Sequence, residues 1–360
     1  MQARRDTYFK LNTLLSHYDN EKLGLLLGDT EKSHGWGRNH IIKLGGTKVF
    51  IKRIPVTEVE YRNLFSTKNL YDLPTYYNYG VGSAGFGVFR EIVTHIKTTN
   101  WVLEGAIENF PLMYHCRILP FSGQNPDVNM ERHNGYVEYW NSNENIGTYL
   151  MDRINAKHEA ILFLEYIPHM LGRWLGKHID KLNVIIEEMR KTITFLRKNG
   201  VIHFDAHFAN ILTDGEKPYL TDFGLVLDKR FDLSEAERLF FGRHTDYDYG
   251  EFLCCLGDEL HSASQRLTKA QKNRIAQAYG DEDGLQGWEL TMFLLRNVQS
   301  IYDDGLMKLN ENYVEQVMKY HDIILLMHDF YSDMRRNHKK DTKYPHTKLK
   351  RLLKEAGVLQ

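Results

Sequence analysis

Apolar residues recur at helical spacing at the start of the chain. Leu11, Leu14 and Leu15 are followed by Tyr18 and Leu23. Apolar side chains three and four positions apart share one face of an α-helix. The first 28 residues or so are therefore predicted to form a helical extension.

Two short apolar runs, residues 41–42 and 49–51, flank the glycine pair at positions 45–46. Adjacent glycines between two apolar runs are typical of the tight turn of a β-hairpin. A hairpin is therefore predicted here, and a glycine-containing loop with Gly35 and Gly37 precedes it.

The middle of the chain mixes helical and strand patterns. Residues 57–70 and 88–103 are predicted helices, whereas the apolar runs at 110–120 and 160–167 are predicted strands. Residues 121–158 are polar, rich in Asn and Gly, and show little periodicity. We predict an insertion or long loop there, and loops of that length are usually functional or mobile.

The second half of the chain is dominated by helical patterns. A strong helical repeat runs from Leu182 to Leu196 and stops at Asn199 and Gly200, a usual helix end. Short apolar runs and a turn follow between residues 201 and 223, and the chain beyond Asp228 is predicted to be almost wholly helical.

Strands concentrated in the first half and helices in the second favour an α+β fold with two lobes. The predicted division is a helical extension over 1–28, a small β-rich N-lobe over 29–168 and a larger helical C-lobe over 169–360.

Composition and charge exclude several classes of protein. The chain has 360 residues, 42% hydrophobic and 26% charged, with a formal net charge of −1, so no nucleic-acid partner is expected. Three cysteines do not make a disulfide framework, which favours a reducing compartment. No apolar run approaches the roughly 20 residues of a membrane helix. We expect a cytoplasmic protein without a membrane span.

The stretch "VIHFDAHFANILTDGEKPYLTDFGLV" gathers three oxygen-bearing side chains. Asp205 and Asn210 lie five residues apart, and Asp222 follows twelve residues later, beyond a hairpin-like turn. Because a hairpin returns beside its own start, the three side chains are expected to converge. Asn210 and Asp222 would then suit Mg²⁺, which prefers hard oxygen ligands.

Asp205 would remain free to orient an attacking hydroxyl and accept its proton. Lys52, at the end of the apolar run "VFIK", is in the right chemical setting to hold nucleotide phosphates. Phosphoryl transfer asks little more of a protein than alignment and charge neutralisation. The residues therefore predict Mg²⁺-dependent phosphoryl transfer from a nucleotide, and the family resemblance described next implies that this nucleotide is ATP.

"HFDAHFAN" followed by "TDFG" resembles the catalytic and metal-binding loops of the protein-kinase-like superfamily. The form His-x-Asp-x-His-x-x-Asn is more similar to aminoglycoside phosphotransferases, choline kinases and atypical bacterial kinases than to ordinary protein kinases. The resemblance covers roughly residues 30 to 260. It implies that Asp205 is the catalytic base, that Asn210 and Asp222 bind the metal, and that Lys52 binds phosphate.

The resemblance also implies a set of nucleotide-binding residues. Glu91 is the favoured partner of Lys52, with Glu58 and Glu60 as competitors nearer in sequence. Gly35 and Gly37 would belong to a glycine-rich loop over the phosphates, and "LFLEYIP", with Glu165 and Tyr166, resembles the hinge that borders the adenine.

Three departures point away from an ordinary regulated protein kinase. His40 stands where a third glycine of the loop is expected, and Phe204 stands where protein kinases usually carry Arg. No Ala-Pro-Glu motif follows "DFG". The expected acceptor is accordingly a small-molecule alcohol or an unusual protein. The alternatives are an atypical serine/threonine protein kinase, a pseudokinase that binds nucleotide or a partner, and a nucleotidyl transferase on the same fold.

Other polar residues have structural interpretations beside their functional ones. His203 is expected to bond backbone near the loop, and His207 to be a satisfied loop histidine or a neighbour of the metal site. Asp246 and Asp248 either brace the catalytic loop or cap a helix. The basic stretch 335–354 is either a solvated face or a docking site for an anionic partner.

Overall fold

A computed structural model of the chain describes residues 1–28, 38–121, 128–280, 285 and 287–359. The described part is a mixed α/β structure in which a small antiparallel sheet is followed by a largely helical remainder. Within these residues no helix is both long and apolar enough to cross a membrane. Cys116, Cys254 and Cys255 are free thiols.

The helices are, in chain order, α1 (Gln2–Ser16), α2 (Asn20–Leu27), α3 (Glu58–Tyr61), α4 (Val88–Glu104), α5 (Met130–Tyr139), α6 (Glu144–Ile154), α7 (Leu171–Leu175), α8 (Leu182–Lys198), α9 (Glu235–Arg243), α10 (Tyr247–Cys254), α11 (Leu256–Gln265), α12 (Lys269–Tyr279), α13 (Gly287–Arg296), α14 (Val298–Asp303), α15 (Glu311–Lys319), α16 (His321–Arg336) and α17 (His346–Glu355). Single 3₁₀ turns lie at Thr75–Asn78, Ile179–Lys181 and Phe208–Asn210.

The strands are β1 (Arg38–Leu44), β2 (Thr47–Val56), β3 (Met113–Pro120), β4 (His158–Glu165), β5 (His169–Met170), β6 (Val201–Ile202), β7 (Ile211–Thr213), β8 (Pro218–Leu220) and β9 (Leu227–Asp228). The first four form one sheet in the order β1-β2-β4-β3, and the short strands form a three-stranded sheet β5-β7-β8 and a pair β6-β9.

The predicted hairpin is confirmed in β1 and β2. Gly45 and Gly46 both have positive φ, 56° and 86°, a backbone conformation that a tight hairpin turn requires and that glycine adopts without strain. β2 then runs between β1 and β4, with Lys52 opposite Asn39 on one side and Leu162 on the other. A central strand therefore carries the stem of Lys52.

Helix α4 packs on the sheet through an apolar cluster. Val88, Phe89 and Ile92 on the helix are fully buried against Ile54 and Leu162 of the strands. Burying side chains of this size stabilises the folded state by roughly 1.5–3 kcal/mol each. This packing holds the first turns of α4 over the strand that carries Lys52.

Two nested strand pairs bring the loops of the second half together. β7 pairs with β8, with Ile211 opposite Leu220, and β6 pairs with β9, with Ile202 opposite Leu227. The loops 203–210 and 221–226 therefore leave the same end of this unit side by side. The amide of Thr221 donates to the carbonyl of Asn210 at 3.0 Å and joins the two loops.

Two expectations from the sequence are wrong in detail. The predicted helix over 57–70 is only the short α3, which begins with a capping box between Thr57 and Glu60 and ends at Tyr61. Phe65, with φ of 58°, has a left-handed backbone that a helix does not allow. The polar stretch 121–158 is not a plain loop, because α5 and α6 lie within it.

Candidate functional site

Lys52 lies between two carboxylates that come from distant parts of the chain. Its ammonium Nζ is 2.6 Å from Glu91 Oε1 on α4 and 2.9 Å from Asp222 Oδ1 in the 221–226 loop. The Lys52 and Glu91 side chains are 15% and 7% exposed. Removing one member of a buried ion pair typically costs about 3–5 kcal/mol, because the other charge is left without a partner.

The charges in this cluster support one another. Burial alone would lower the pKa of Lys52, but Asp222 and Glu91 outweigh it and raise that pKa above its ordinary value. Burial alone would raise the pKa of Asp222, but the Lys52 ammonium lowers it to about 2. At neutral pH the cluster therefore presents a lysine cation and an Asp222 carboxylate.

The two competing glutamates have other partners. Glu58 forms an ion pair with Arg62 at 2.9 Å on an exposed surface. The Glu60 carboxylate accepts hydrogen bonds from the backbone amides of Thr57 and Val88, both at 2.9 Å. Glu91 is thus the glutamate paired with Lys52, and Glu60 instead ties α3 to the start of α4.

Asp205 and Asn210 are in direct contact within the 203–210 loop. Asn210 Nδ2 donates to Asp205 Oδ2 at 2.7 Å and to the Asp205 carbonyl at 3.0 Å. His207 Nε2 lies 3.4 Å from Asp205 Oδ1. Burial opposes protonation of this imidazole, but Asp205 outweighs it and raises the pKa of His207 to about 9. His207 therefore neighbours the candidate base as a cation.

Helix α10 holds the 203–210 loop through two buried carboxylates. Asp248 accepts hydrogen bonds from the amides of His203 at 2.8 Å and Phe204 at 2.9 Å, and Glu251 accepts from the amide of Ala206 at 2.6 Å. Burial raises the pKa of Asp248 to about 6. The bracing interpretation of Asp248 is confirmed, whereas Asp246 forms an ion pair with Arg197 at 2.8 Å.

His203 is a structural residue, as its sequence position indicates. Its Nδ1 accepts a hydrogen bond from the amide of Asp205 at 3.2 Å, and its Nε2 lies 3.0 Å from the carbonyl of Thr221. Burial lowers the pKa of His203 to about 4, so this imidazole is neutral at physiological pH. The ring links the two loops that carry Asp205 and Asp222.

Backbone strain is concentrated at two residues of the site. Phe204 and Asp222 are non-glycine residues with φ of 63° and 64°. Such left-handed conformations cost roughly 1–3 kcal/mol each and persist where the surroundings enforce them. The hydrogen bonds that the amides of His203 and Phe204 donate to Asp248 hold the Phe204 backbone, and the ion pair with Lys52 holds Asp222.

A glycine-rich stretch before α4, residues 80–87 with the sequence "GVGSAGFG", covers the site; we call it the glycine segment. A Cβ atom placed on Gly80 would lie 2.5 Å from Asp205 Oδ1, and one on Gly85 would lie 3.1 Å from the Gly224 carbonyl. The amide of Phe86 donates to that same carbonyl at 3.0 Å. The segment thus packs directly on the 203–210 and 221–226 loops.

The glycine segment and the charged residues enclose one cleft of about 260 Å³. Lys52, Glu91, Asp205 and Asp222 all line it. Arg153, from α6, lines the same cleft and is 8% exposed. Sequence reasoning missed both the glycine segment and Arg153. The spacing Gly80-x-Gly82-x-x-Gly85 was the available signal for the first, and no local signal marks Arg153.

The residues predicted to border the adenine do not line this cleft. Glu165 ends β4, accepts the Leu112 amide at 3.0 Å, and is ion-paired at 2.7 Å with Arg4 of the N-terminal helix. Lys48 lies 5.1 Å from the centre of the Tyr166 ring. Neither Glu165 nor Tyr166 lines the cleft just described. Gly35 and Gly37 fall outside the described residues.

The donor set at the cleft suits Mg²⁺ better than a transition metal. In the described part of the chain no three His, Cys, Asp or Glu side chains are grouped to hold a metal. Mg²⁺ needs no such group, because one or two protein oxygens suffice when water and phosphate oxygens complete its shell. The Asp222 carboxylate lines the cleft and fits that requirement, whereas Asn210 does not line it and its amide nitrogen is bonded to Asp205.

No protein-family model matches the sequence, and a search of curated proteins finds no relative of the chain.

Proposed function

We propose that the protein is an ATP- and Mg²⁺-dependent phosphotransferase that moves the γ-phosphoryl group to a hydroxyl acceptor. The observation that carries the proposal is the convergence of Lys52, Glu91, Asp205 and Asp222 on one cleft. These side chains come from a central strand, a helix and two loops. Together they place the Asp222 carboxylate beside the Lys52 cation in the wall of the cleft. Positioning and charge neutralisation are the main demands of phosphoryl transfer.

The proposed architecture is a two-lobed, protein-kinase-like fold. The four-stranded sheet with α4 would form the smaller lobe, and the helical remainder the larger one. The cleft supports this division, because Lys52 and Glu91 come from the first part of the chain and Asp205 and Asp222 from the second. A site between two packed parts is a common location for a nucleotide.

Each residue has a proposed role in the transfer. Lys52, oriented by Glu91, would bind nucleotide phosphates, and Asn210 and Asp222 would hold Mg²⁺, which neutralises phosphate charge when bound. Asp205 would orient the acceptor hydroxyl. As the acceptor oxygen bonds to phosphorus and the bond to ADP breaks, the hydroxyl proton would pass to Asp205. Preorganised charge of this kind accounts for much of the rate gain in such sites.

The proposed acceptor is a small-molecule alcohol. The glycine segment approaches Asp205 so closely that a single added methyl on Gly80 would meet the carboxylate. The space beside the candidate base is therefore restricted, which favours a compact acceptor over an extended protein loop. An atypical protein kinase remains the alternative, and the size of the labelled product separates the two.

The Asp205→Asn variant tests the proposed role of the base. We expect transfer of label from γ-labelled ATP to a small-molecule fraction of cell extract to fall by about 10²-fold or more, because the hydroxyl loses its proton acceptor. Nucleotide binding should stay within about twofold of the wild type. Asp180→Asn is the control, since the Asp180 side chain is 70% exposed.

Turnover by Asp205→Asn at the wild-type rate would contradict the assignment of the base. A wild-type protein that binds nucleotide but labels nothing would favour the pseudokinase alternative. Mass analysis of the product distinguishes an added phosphate from an added nucleotide.

A further inference from the structure

Arg153 is a buried guanidinium in the wall of the cleft, and the proposed transfer does not use it. It lies near the end of α6, in the insertion between β3 and β4, and only 8% of it is exposed. Arg153 lines the same cleft as Lys52 and Asp222. A cation buried to this degree is rare unless an anion or hydrogen-bond acceptors compensate it.

The protein compensates this charge only in part. Arg153 Nη1 donates to the Tyr149 hydroxyl at 2.9 Å, and the guanidinium lies 5.4 Å from the centre of the Tyr149 ring. Among the described residues no carboxylate lies within ion-pair distance of Arg153. Arg90, which is also buried, does have such a partner, because it pairs with Glu237 at 2.7 Å. The remaining donors of Arg153 are thus available to a ligand in the cleft.

The surroundings keep Arg153 charged. Burial opposes the charge, but Tyr149 and Glu60 outweigh it and raise the pKa of Arg153 above its ordinary value. Glu60 does not serve as a contact partner, because its two oxygens accept the amides of Thr57 and Val88. A fixed positive charge therefore faces the cleft.

The glycine segment adds backbone donors to the same wall. The amides of Val81, Ala84 and Phe86 donate to protein acceptors. In the described structure the amides of Gly82, Ser83 and Gly85 have no such acceptor. The segment leads into the 17-residue helix α4, where the Val88 amide already donates to the Glu60 carboxylate. The donors that the segment offers an anion are therefore the amides of Ser83 and Gly85, both of which line the cleft.

We propose that Arg153 and the glycine segment form a phosphate-binding subsite on the wall of the cleft. This inference rests on the proposed function in one respect only, the identity of the cleft as the phosphoryl-transfer site. The phosphate has two possible sources, the terminal phosphate of the nucleotide and a phosphate group on the acceptor. A guanidinium binds either one through paired N–H donors.

The experiment compares Arg153→Gln with Arg132→Gln in the intact protein. Arg132 is exposed on α5 of the same insertion, so its variant controls for loss of one positive charge. Titration calorimetry measures binding of four probes with Mg²⁺: a non-hydrolysable ATP analogue, ADP, tripolyphosphate, and inorganic phosphate added to ADP-saturated protein. Losing a charged hydrogen-bonded contact corresponds to roughly a ten- to hundredfold loss of affinity.

Two results support the subsite and separate the sources. If it holds the terminal phosphate of the nucleotide, Arg153→Gln weakens the ATP analogue about tenfold or more and leaves ADP within about twofold. If the subsite holds a phosphate of the acceptor, Arg153→Gln binds the ATP analogue and ADP as the wild type does. Binding of inorganic phosphate to the ADP-saturated variant is then lost. Arg132→Gln behaves as the wild type in both cases.

Unchanged binding of all four probes by Arg153→Gln would overturn the subsite and leave the proposed function standing. A different outcome would refute the proposed function and leave the subsite standing. In that outcome the wild type takes up no nucleotide but binds tripolyphosphate, and Arg153→Gln loses the tripolyphosphate binding. If Arg153→Gln does not unfold cooperatively, Arg153→Lys replaces it. That variant keeps the buried charge but loses the paired donors, and the same losses are expected at smaller size.

Discussion

Single residues decide how closely the glycine segment approaches the candidate base. Gly80 has Asp205 Oδ1, Glu251 Oε1 and Phe204 O as the nearest atoms to the position of a Cβ, at 2.5, 3.3 and 3.4 Å. Cβ contacts below 3.0 Å do not occur without movement, so glycine is required there by space alone. Gly80 therefore sets the separation between the segment and Asp205.

The Gly80→Ala variant is expected to displace Asp205 or the segment and to lower kcat by about 10²-fold, because errors of about 1 Å have that effect on positioned groups. Nucleotide affinity should change less, since the three atoms nearest to a Cβ at Gly80 belong to Asp205, Glu251 and Phe204 and not to Lys52 or Asp222. Steady-state kinetics with calorimetry measure both quantities.

Gly135→Ala is the matched control for this variant. Gly135 lies on α5 with no atom within 4 Å of a Cβ, so alanine should stabilise the helix by roughly 0.5–1 kcal/mol and leave kcat unchanged. Wild-type kcat in Gly80→Ala would show that the close approach to Asp205 does not exist in solution.

The residues of the site differ in how well they could be predicted from the sequence. Asp205, Asn210 and Asp222 share one short stretch whose turn predicts their convergence, and the strand pairs β6-β9 and β7-β8 bring the loops together. The sequence favoured Glu91 as the partner of Lys52 but left Glu58 and Glu60 as alternatives, and the packing of α4 on the sheet brings Glu91 to the lysine. Arg153 meets the cleft only through the tertiary fold.

At the scale of elements, α10 acts as the support of the 203–210 loop. Its first and second turns supply Asp248 and Glu251, and these accept three backbone amides of the loop. Carboxylates on a packed helix give fixed positions to amides that would otherwise be buried without acceptors. The strained Phe204 backbone lies between two of these contacts.

The Asp248→Asn variant should destabilise the protein by about 1–3 kcal/mol, because an amide side chain has one acceptor oxygen for two backbone donors. The urea unfolding midpoint measures this loss. Asp329→Asn, on an exposed position of α16, is the control and should change stability by less than about 0.5 kcal/mol. Equal midpoints for the two variants would contradict the supporting role of α10.

The insertion between β3 and β4 shows why element prediction failed there. Helix α5 buries none of its residues and so has no apolar face to detect, whereas α6 buries Ile146, Tyr149 and Leu150 at a helical spacing that the sequence prediction overlooked. Both helices begin after a capping asparagine, Asn129 for α5 and Asn143 for α6. Trp140 is fully buried between them and the rest of the molecule. Hydroxyls of Tyr136 and Tyr139 on α5 donate to the carbonyls of Gly82 and Val81, both at 2.8 Å. Long-range contacts thus add to the order of this region, and those of the two tyrosines brace the glycine segment.

At the scale of the whole molecule, the predicted concentration of long strands in the first half holds, because β1 to β4 all lie before residue 166. Helices α1 to α6 share that half, however, and the short strands β5 to β9 follow between residues 169 and 228. The basic stretch 335–354 includes α17, in which Leu349, Leu352 and Leu353 are buried and lysines face solvent, as an ordinary amphipathic helix requires. The solvated-face interpretation holds for α17, whereas Lys340 in the same stretch is buried and donates to the Met334 carbonyl at 2.7 Å. The site instead depends on bringing residues about 170 positions apart, Lys52 and Asp222, into contact.

The most direct test of the central claim is titration calorimetry of a non-hydrolysable ATP analogue with Mg²⁺ into the wild type and Lys52→Met, each first shown to unfold cooperatively. The proposed site predicts saturable, Mg²⁺-dependent binding by the wild type and a loss of about tenfold or more in Lys52→Met, because a charged phosphate contact is removed. No uptake by the wild type, or equal affinity in the two proteins, would contradict a nucleotide-phosphate site at Lys52 and Asp222.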